Sequence, residues 1–308
     1  MYAIEFLQSS PIALTTVVVL LGLMVGSFLN VVIHRLPVML RREWNSQAME
    51  VIADWAQRED APDALRKPAE GLAEVRKLEA KAPRYNIVVP RSACPKCNHA
   101  ITALENIPVV SYAVLRGRCR TCGDRISLRY PTVETITAAM FALGWWYYGP
   151  GVLLASRLVL GCTLLVLFEI DREHQILPNA ITLPGIAVGF AFSLFTAPGW
   201  VSSLAGIVIG GGSLLAIAYG YYFLRHEEGL GMGDVKMLAL IGAFLGWRLT
   251  LLALMMASLS GSIIGVTLIV TKRGGMKSAL PFGTFLALGA ALAATVGPGL
   301  VDWYLGLL

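Results

Sequence analysis

Two aspartates stand out in a chain that is otherwise mostly apolar. Asp234 closes the stretch Gly229-Leu230-Gly231-Met232-Gly233-Asp234 and runs straight into Val235-Lys236-Met237-Leu238. Asp171 ends another apolar run, in Phe168-Glu169-Ile170-Asp171. A carboxylate at the edge of a bilayer is costly unless it is paired or wetted, so each is a candidate functional group. Two carboxylates about 3 Å apart cannot both ionise comfortably, and they share a proton. The ionised member can then take a proton from water, which attacks a carbonyl carbon, while the neutral member donates to the carbonyl oxygen. Such a pair titrates as a unit. Gly231 and Gly233 would let a backbone come close. Lys236 either biases the charge of the pair or snorkels to the interface.

Asp234 has a blander reading, and Asp171 does not. Asp234, after glycines and before an apolar helix, is a good helix N-cap, accepting an orphan backbone N–H. Asp171 ends its helix, where the macrodipole disfavours a negative charge, and Pro178-Asn179 restarts the chain soon after. No capping role suits it. The pair is the reading that accounts for both.

These acids need a membrane scaffold to meet. The chain has 308 residues, 56% apolar and only 15% charged, which excludes an ordinary soluble domain. A hydrocarbon core of roughly 30 Å takes about 20 helical residues. Suitable runs fall near 11–33, 132–149, 152–170, 178–196, 201–224 and 280–306. The run 235–270 is too long for one span and is interrupted only at Gly246-Trp247-Arg248, so it reads as a tight helical pair. The expectation is an all-α polytopic membrane protein of about eight transmembrane helices. Its domains are a first helix at 1–34, a soluble insertion at 35–130 and a membrane core at 131–308. The first part of the pair, 235–247, is short for a crossing, which a wet site at its start would make tolerable. Gly206, Gly210, Gly211 and Gly212 suit close helix packing. Glu134, in the first turn of the second span, suits a helix dipole.

The N-terminus carries Glu5 and no Lys or Arg before Arg35, so it reads as a retained anchor rather than a cleaved signal. Residues 35–130 hold 17 of the 25 Lys and Arg. With the N-terminus outward and eight spans, Arg172, Arg225, Lys236, Lys272, Arg273 and Lys277 join them inside. Arg157, within a span, and Arg248, outside, dissent. Asp171 and Asp234 then share the cytosolic face. The net charge of +5 is modest and spread out, and no nucleic-acid partner is expected.

The insertion begins with a charged, Ala-rich region, 38–84. Leu40, Trp44, Val51, Ile52 and Trp55 stand near helical spacing, and Pro62, Pro68 and Gly71 punctuate it. It reads as one or two amphipathic helices against the membrane or the cysteine module, or as a solvated spacer. Next come Cys94-Pro95-Lys96-Cys97 and Cys119-Arg120-Thr121-Cys122, with 21 residues between the pairs. That spacing is zinc-ribbon-like, and four thiolates complete a closed, structural tetrahedral shell. Disulfides or a redox dithiol explain it less well in a reducing compartment. His99 is surplus, and Cys162 suits packing in the third span.

The chain resembles the bacterial type IV prepilin peptidases, also called prepilin leader peptidase/N-methyltransferases, over nearly its full length. The resemblance is carried by Gly26-Ser27-Phe28-Leu29-Asn30-Val31-Val32-Ile33-His34-Arg35-Leu36-Pro37, both Cys pairs, Glu105-Asn106-Ile107-Pro108 and Arg129-Tyr130-Pro131-Thr132-Val133-Glu134. The Ile170-Asp171 to Leu177-Pro178 segment, Gly231-Met232-Gly233-Asp234 and Pro281-Phe282-Gly283 complete it. It implies an aspartic endopeptidase of the Gly-x-Gly-Asp class with Asp171 and Asp234 as its dyad. Such an enzyme removes the basic leader from prepilins and pseudopilins at the cytosolic face of the inner membrane. Many members then methylate the new N-terminus with S-adenosylmethionine, using determinants before the third Cys. Here those are Gly117-Arg118, where Gly-Lys is expected. Asn179 stands where many relatives carry Asp. Pro281-Phe282-Gly283 either lines the substrate groove or simply starts a helix.

Two other classes fit part of the sequence. One is a cation-coupled transporter using the two membrane-edge aspartates, and the other a non-enzymatic, zinc-bearing assembly scaffold. The first leaves the four cysteines unexplained. The second leaves the acids so.

Overall fold

A computed structural model of the protein describes residues 11–58, 62, 71, 72, 75, 84–227, 229–271 and 280–307. Glu5, Pro68, Lys272, Arg273 and Lys277 lie outside the described residues. The chain forms two compact units, one of Met1–Asn30 with Ser127–Leu308 and one of Val31–Ile126. The helices are α1 (Pro11–Ala56), α2 (Val110–Val114), α3 (Arg129–Tyr148), α4 (Val152–His174), α5 (Asn179–Ser193), α6 (Trp200–Arg225), α7 (Met232–Val270), α8 (Phe282–Thr295) and α9 (Gly297–Leu305). A single 3₁₀ turn spans Leu104–Asn106. The described residues form no strand beyond two isolated bridges.

The protein is a multi-pass membrane protein of helices. Among the described residues, α1, α4, α6 and α7 are long and apolar enough to cross a bilayer, and α8 with α9, bent by 67°, makes a fifth if taken together. Helix α5 is shorter than a full span. The expected count of eight is therefore not established, although the described residues form eight such helical stretches, α3 among them, once α7 is divided and α8 is taken with α9. That division is at Gly246, whose φ of 73° and ψ of 170° leave the helix. An L side chain rarely adopts that φ, and a Cβ there would run into Ser202 and Pro198, so glycine is required twice over.

The stretch of α7 before Gly246 is the centre of the membrane unit. Val235 and every residue from Met237 to Gly246 are buried. A helix apolar on all sides must be surrounded by protein or lipid, and here α5, α6 and α8 surround it. They get close through small residues. Gly206 of α6 meets Gly242 backbone to backbone, and Gly185 and Gly189 of α5 lie under Leu240 and Phe244. Gly289 of α8 sits against the Ala253 carbonyl. Gly210 and Gly211 also face α7, but Gly212 faces open space, against the packing expected of it. Gly22 and Gly26, one helical turn apart on α1, lie on Ala138 and Glu134 of α3. Backbones at such separations maximise dispersion contacts, which drive helix association in lipid.

In the second unit α1 does not end near residue 34 but continues as helix to Ala56, with Pro37 inside it. The apolar residues at helical spacing do not form a buried face, since Trp44, Val51 and Trp55 are exposed. Arg35 is buried and donates to the carbonyls of Asn86, Ile87 and Pro90. Arg42 lies 4.5 Å from the centre of the Tyr85 ring. These bonds anchor the segment leading into the first Cys pair.

Candidate active site and cysteine cluster

Asp171 occupies the last turn of α4, whose end is closed by Gln175 in the left-handed conformation, its N–H on the Asp171 carbonyl at 2.8 Å. No local pattern around Asp171 foretells what its side chain does. Its Oδ2 accepts the backbone N–H of Thr284 at 2.7 Å and the Thr284 hydroxyl at 3.0 Å. Thr284 is the third residue of α8, so Asp171 satisfies an orphan donor at the start of a helix 113 residues away. The expectation that Asp171 has no capping role is corrected. It caps a neighbour's N-terminus rather than its own helix.

Asp234 shows the opposite. It lies in the first turn of α7, but the N-cap is Gly231, with no side-chain cap bond. The Asp234 carboxylate makes no hydrogen bond among the described residues, while the charge of Asp171 acts on it. The end of α4 and the start of α7 thus bring the two acids within range of each other's charge. Leu177 is shared packing, since a Cβ at Gly233 would meet its side chain at 2.9 Å and one at Gly283 at 3.0 Å.

The other nearby acids are neutralised. Glu169 accepts from Arg172 at 2.7 Å, and Glu173 accepts from Arg172 at 3.2 Å and from Arg129 at 2.7 Å. Neither Asp171 nor Asp234 pairs with a cation among the described residues. Lys236 does not turn toward them: its ammonium donates to Asn179 Oδ1 at 2.8 Å. The lysine assigned a supporting role and the asparagine left out of the site are partners. Pro281 is the N-cap of α8, Phe282 packs against the core, and Gly283 touches the Asp171 carboxylate. Sequence reasoning missed Thr284, for which the only signal was a hydroxyl residue in the first turn after Pro281-Phe282-Gly283.

A Cβ on Gly283 would lie 3.0 Å from Asp171 Oδ2 and 3.1 Å from its Cγ. Gly283→Ala should therefore displace the carboxylate and lower turnover at least about tenfold, with a stability cost of roughly 1–3 kcal/mol. Gly212→Ala, facing open space, is the control. Unchanged turnover in Gly283→Ala would show that this contact does not matter.

The four cysteines come together in the second unit. Each pair sits in the same turn. The N–H of the first Cys bonds the carbonyl five residues on, His99 or Asp124, and its own carbonyl accepts from Asn98 or Gly123. Asn98 and Gly123 both have positive φ, at 55° and 71°, residue types that tolerate it. Lys96 of one turn reaches Asp124 of the other at 3.2 Å. All four Sγ atoms lie within 4.8 Å of one another. Cys94–Cys122 and Cys97–Cys119 are 3.8 and 3.9 Å apart. A tetrahedron with metal–sulfur arms of about 2.3 Å has edges of about 3.8 Å, so the thiols fit one metal ion. Their protons are poised unevenly without one. The N–H groups of Cys97 and Lys96 bring Cys94 down to about 6. Cys97 is lowered by His99 but pushed up to about 12 by lost hydration and the neighbouring thiols, Cys122 foremost. A cation relieves that crowding.

His99 is not a ligand but packs its Nε2 on Glu105 at 3.2 Å. The N–H and then the hydroxyl of Thr102, with His99, hold Glu105 down to about 2. Cys162 sits in α4, in the other unit.

Residues 20–148 match the Bacterial Peptidase A24 N-terminal domain, and residues 158–266 match the Type IV leader peptidase family. A protein from Aeromonas hydrophila is 39% identical over 306 residues, covering 98% of this chain and 97% of its own. One from Pseudomonas putida is 38% identical over 295 residues, 95% and 94%. One from Burkholderia pseudomallei (strain K96243) is 40% identical over 285, 91% and 84%. The chain belongs to the type IV leader peptidase family.

All three relatives bear the name prepilin leader peptidase/N-methyltransferase. No solved structure gives a significant match. Nothing in these matches supports the transporter or scaffold alternatives. In this leader peptidase family member the Gly117-Arg118 pair lies in the cysteine unit. Gly117 has a φ of 67°, and a Cβ there would meet the Tyr112 hydroxyl at 2.7 Å. Arg118 forms the bridge to Arg125 that closes the second cysteine turn.

Proposed function

We propose that the protein removes the leader peptide of type IV prepilins and pseudopilins, with Asp171 and Asp234 as the catalytic pair, and then N-methylates the new N-terminus. The observation that supports this reading is that the charge of Asp171 acts on Asp234 and that neither acid pairs with a cation among the described residues, while Glu169 and Glu173 are paired. Thr284 commits one oxygen of Asp171, which fixes the orientation of the carboxylate and leaves Oδ1 for proton traffic. The pair holds one proton. Its ionised member draws a proton from water, whose oxygen bonds to the scissile carbonyl carbon. Its neutral member donates to the carbonyl oxygen. On collapse the C–N bond breaks, the amine leaves with a proton from one acid, and the diol hydroxyl gives a proton to the other as the carbonyl re-forms, so the pair again holds one proton. Gly231 leaves room for the substrate backbone, with Pro281, Phe282 and Gly283 beside it, while Gly233 lets Leu177 pack against the start of α7.

Cys94, Cys97, Cys119 and Cys122 hold one Zn²⁺ in a closed structural shell. S-adenosylmethionine supplies an electrophilic methyl group when bound, and Gly117 and Arg118 are the residues assigned to that step. The basic bias of residues 35–130 supports an inner-membrane protein with a periplasmic N-terminus and with the cysteine unit and aspartates on the cytosolic side. The corresponding domains are a first membrane span within 1–34, a cytosolic region at 35–130 into which α1 continues, and a membrane core at 131–308.

The test is to incubate the purified protein in lipid nanodiscs with a model prepilin, with and without S-adenosylmethionine, and weigh the products. Loss of the leader, plus one methyl only with the donor, is expected. An intact prepilin would refute the peptidase, and a cleaved but never methylated product the transferase.

A further inference from the structure

Arg157 is a charged side chain in the sixth position of α4, a membrane-spanning helix, and the proposed chemistry does not use it. No carboxylate is paired with it among the described residues; Tyr148, at the end of α3, is the titratable group that acts on it. Its Nη1 donates to the carbonyl of Phe244 at 3.4 Å, and its Nε is buried without a protein partner. Phe244 is two residues before Gly246. The break at Gly246 leaves the last carbonyls of the first part of α7 with no N–H one turn on. Two of those carbonyls are met from other helices. Ser203 of α6 donates to Ala243 at 2.7 Å, and Arg157 serves Phe244. Inside a bilayer an unmet carbonyl is costly, and a cation at a helix C-terminus complements the dipole.

The same two helices therefore meet at two places. Asp171, at the end of α4, lies within range of the charge of Asp234, at the start of α7, and Arg157, near the start of α4, reaches the end of the short α7 segment. From 157 to 171 α4 rises about 21 Å, and from 234 to 244 α7 rises about 15 Å. The long arginine side chain takes up the difference. Between these ends α8 packs against both helices. We infer that Arg157 is a positioning residue, a clasp on the C-terminal carbonyls at the Gly246 break that sets the register of α4 against α7 and so the separation of Asp171 and Asp234. This rests on the aspartates being the catalytic pair.

The test compares Arg157→Met, Arg157→Lys and Ser203→Ala with the wild type in the same nanodiscs, measuring kcat, KM and the pH profile of leader cleavage per folded molecule. Wild-type cleavage comes first, since its absence would refute the proposed function and not this inference. A clasp that sets the dyad predicts at least a tenfold fall in kcat for Arg157→Met with KM within about twofold, because the reacting groups and not the docking surface have moved. The pH window in which the pair holds one proton should narrow, since carboxylates that interact less titrate closer together. Arg157→Lys, which keeps a cation on a long stem, should recover at least a third of the loss. Ser203→Ala, which takes away the bond to Ala243, should show a smaller change of the same kind. Wild-type kcat and pH profile in Arg157→Met would overturn the inference, as would a lysine variant no better than methionine. If Arg157→Met does not accumulate, Arg157→Gln takes its place, and wild-type kcat and pH profile in that variant would overturn the inference.

Discussion

Asp171→Asn and Asp234→Asn should each lower leader cleavage by a factor of about 10² to 10⁴ or more, the range expected when a positioned acid or base is lost. Both proteins should still accumulate in membranes. The reason differs at the two positions. At Asp171 the amide oxygen of asparagine still accepts from the Thr284 N–H and hydroxyl, so the start of α8 stays capped. At Asp234 there is no side-chain cap bond to lose. Alanine separates them further. Asp171→Ala takes the acceptor from the buried Thr284 hydroxyl and leaves the Thr284 N–H only its longer bond to the Pro281 carbonyl at 3.2 Å, which should cost about 1–3 kcal/mol in thermal unfolding, whereas Asp234→Ala should cost little. Near-normal cleavage by either asparagine variant would remove the catalytic pair from consideration. Equal destabilisation by both alanines would show that the bond to Thr284 is not what holds Asp171.

The second large effect is on metal content. Zn²⁺ binding to four thiolates is worth on the order of 10 kcal/mol, as much as the whole stability of a typical domain. The turns around Cys94–Cys97 and Cys119–Cys122 have two isolated bridges and a short helix to hold them, so the ion should carry the fold of that region. Purified protein should contain about one equivalent of zinc. Cys94→Ser or Cys119→Ser should lower this well below one and expose residues 84–126 to protease, while Cys162→Ser leaves both unchanged. Elemental analysis with limited proteolysis reads the outcome. A wild-type protein with far less than one equivalent, or a metal-free protein as resistant as the loaded one, would rule out a structural zinc.

What the sequence determined by itself is whatever rests on local chemistry. Apolar runs, glycine-led helix starts and a Cys-x-x-Cys turn are encoded within a few residues. Thus the helical class, the break near Gly246 and the four-cysteine cluster could be read directly, while the unbroken continuation of the first helix beyond the apolar run 11–33 to Ala56 could not. Tertiary structure decided the partners. It gave the Asp171 carboxylate to Thr284, Lys236 to Asn179 and Arg157 to Phe244, and it left Asp234 without the cap its own sequence offered. The physical reason is that a buried donor or acceptor must be satisfied by whichever group packing brings within about 3 Å, often a hundred residues away. Sequence shows which groups will need a partner. Only the packing of α4, α7 and α8 shows which partner each one gets.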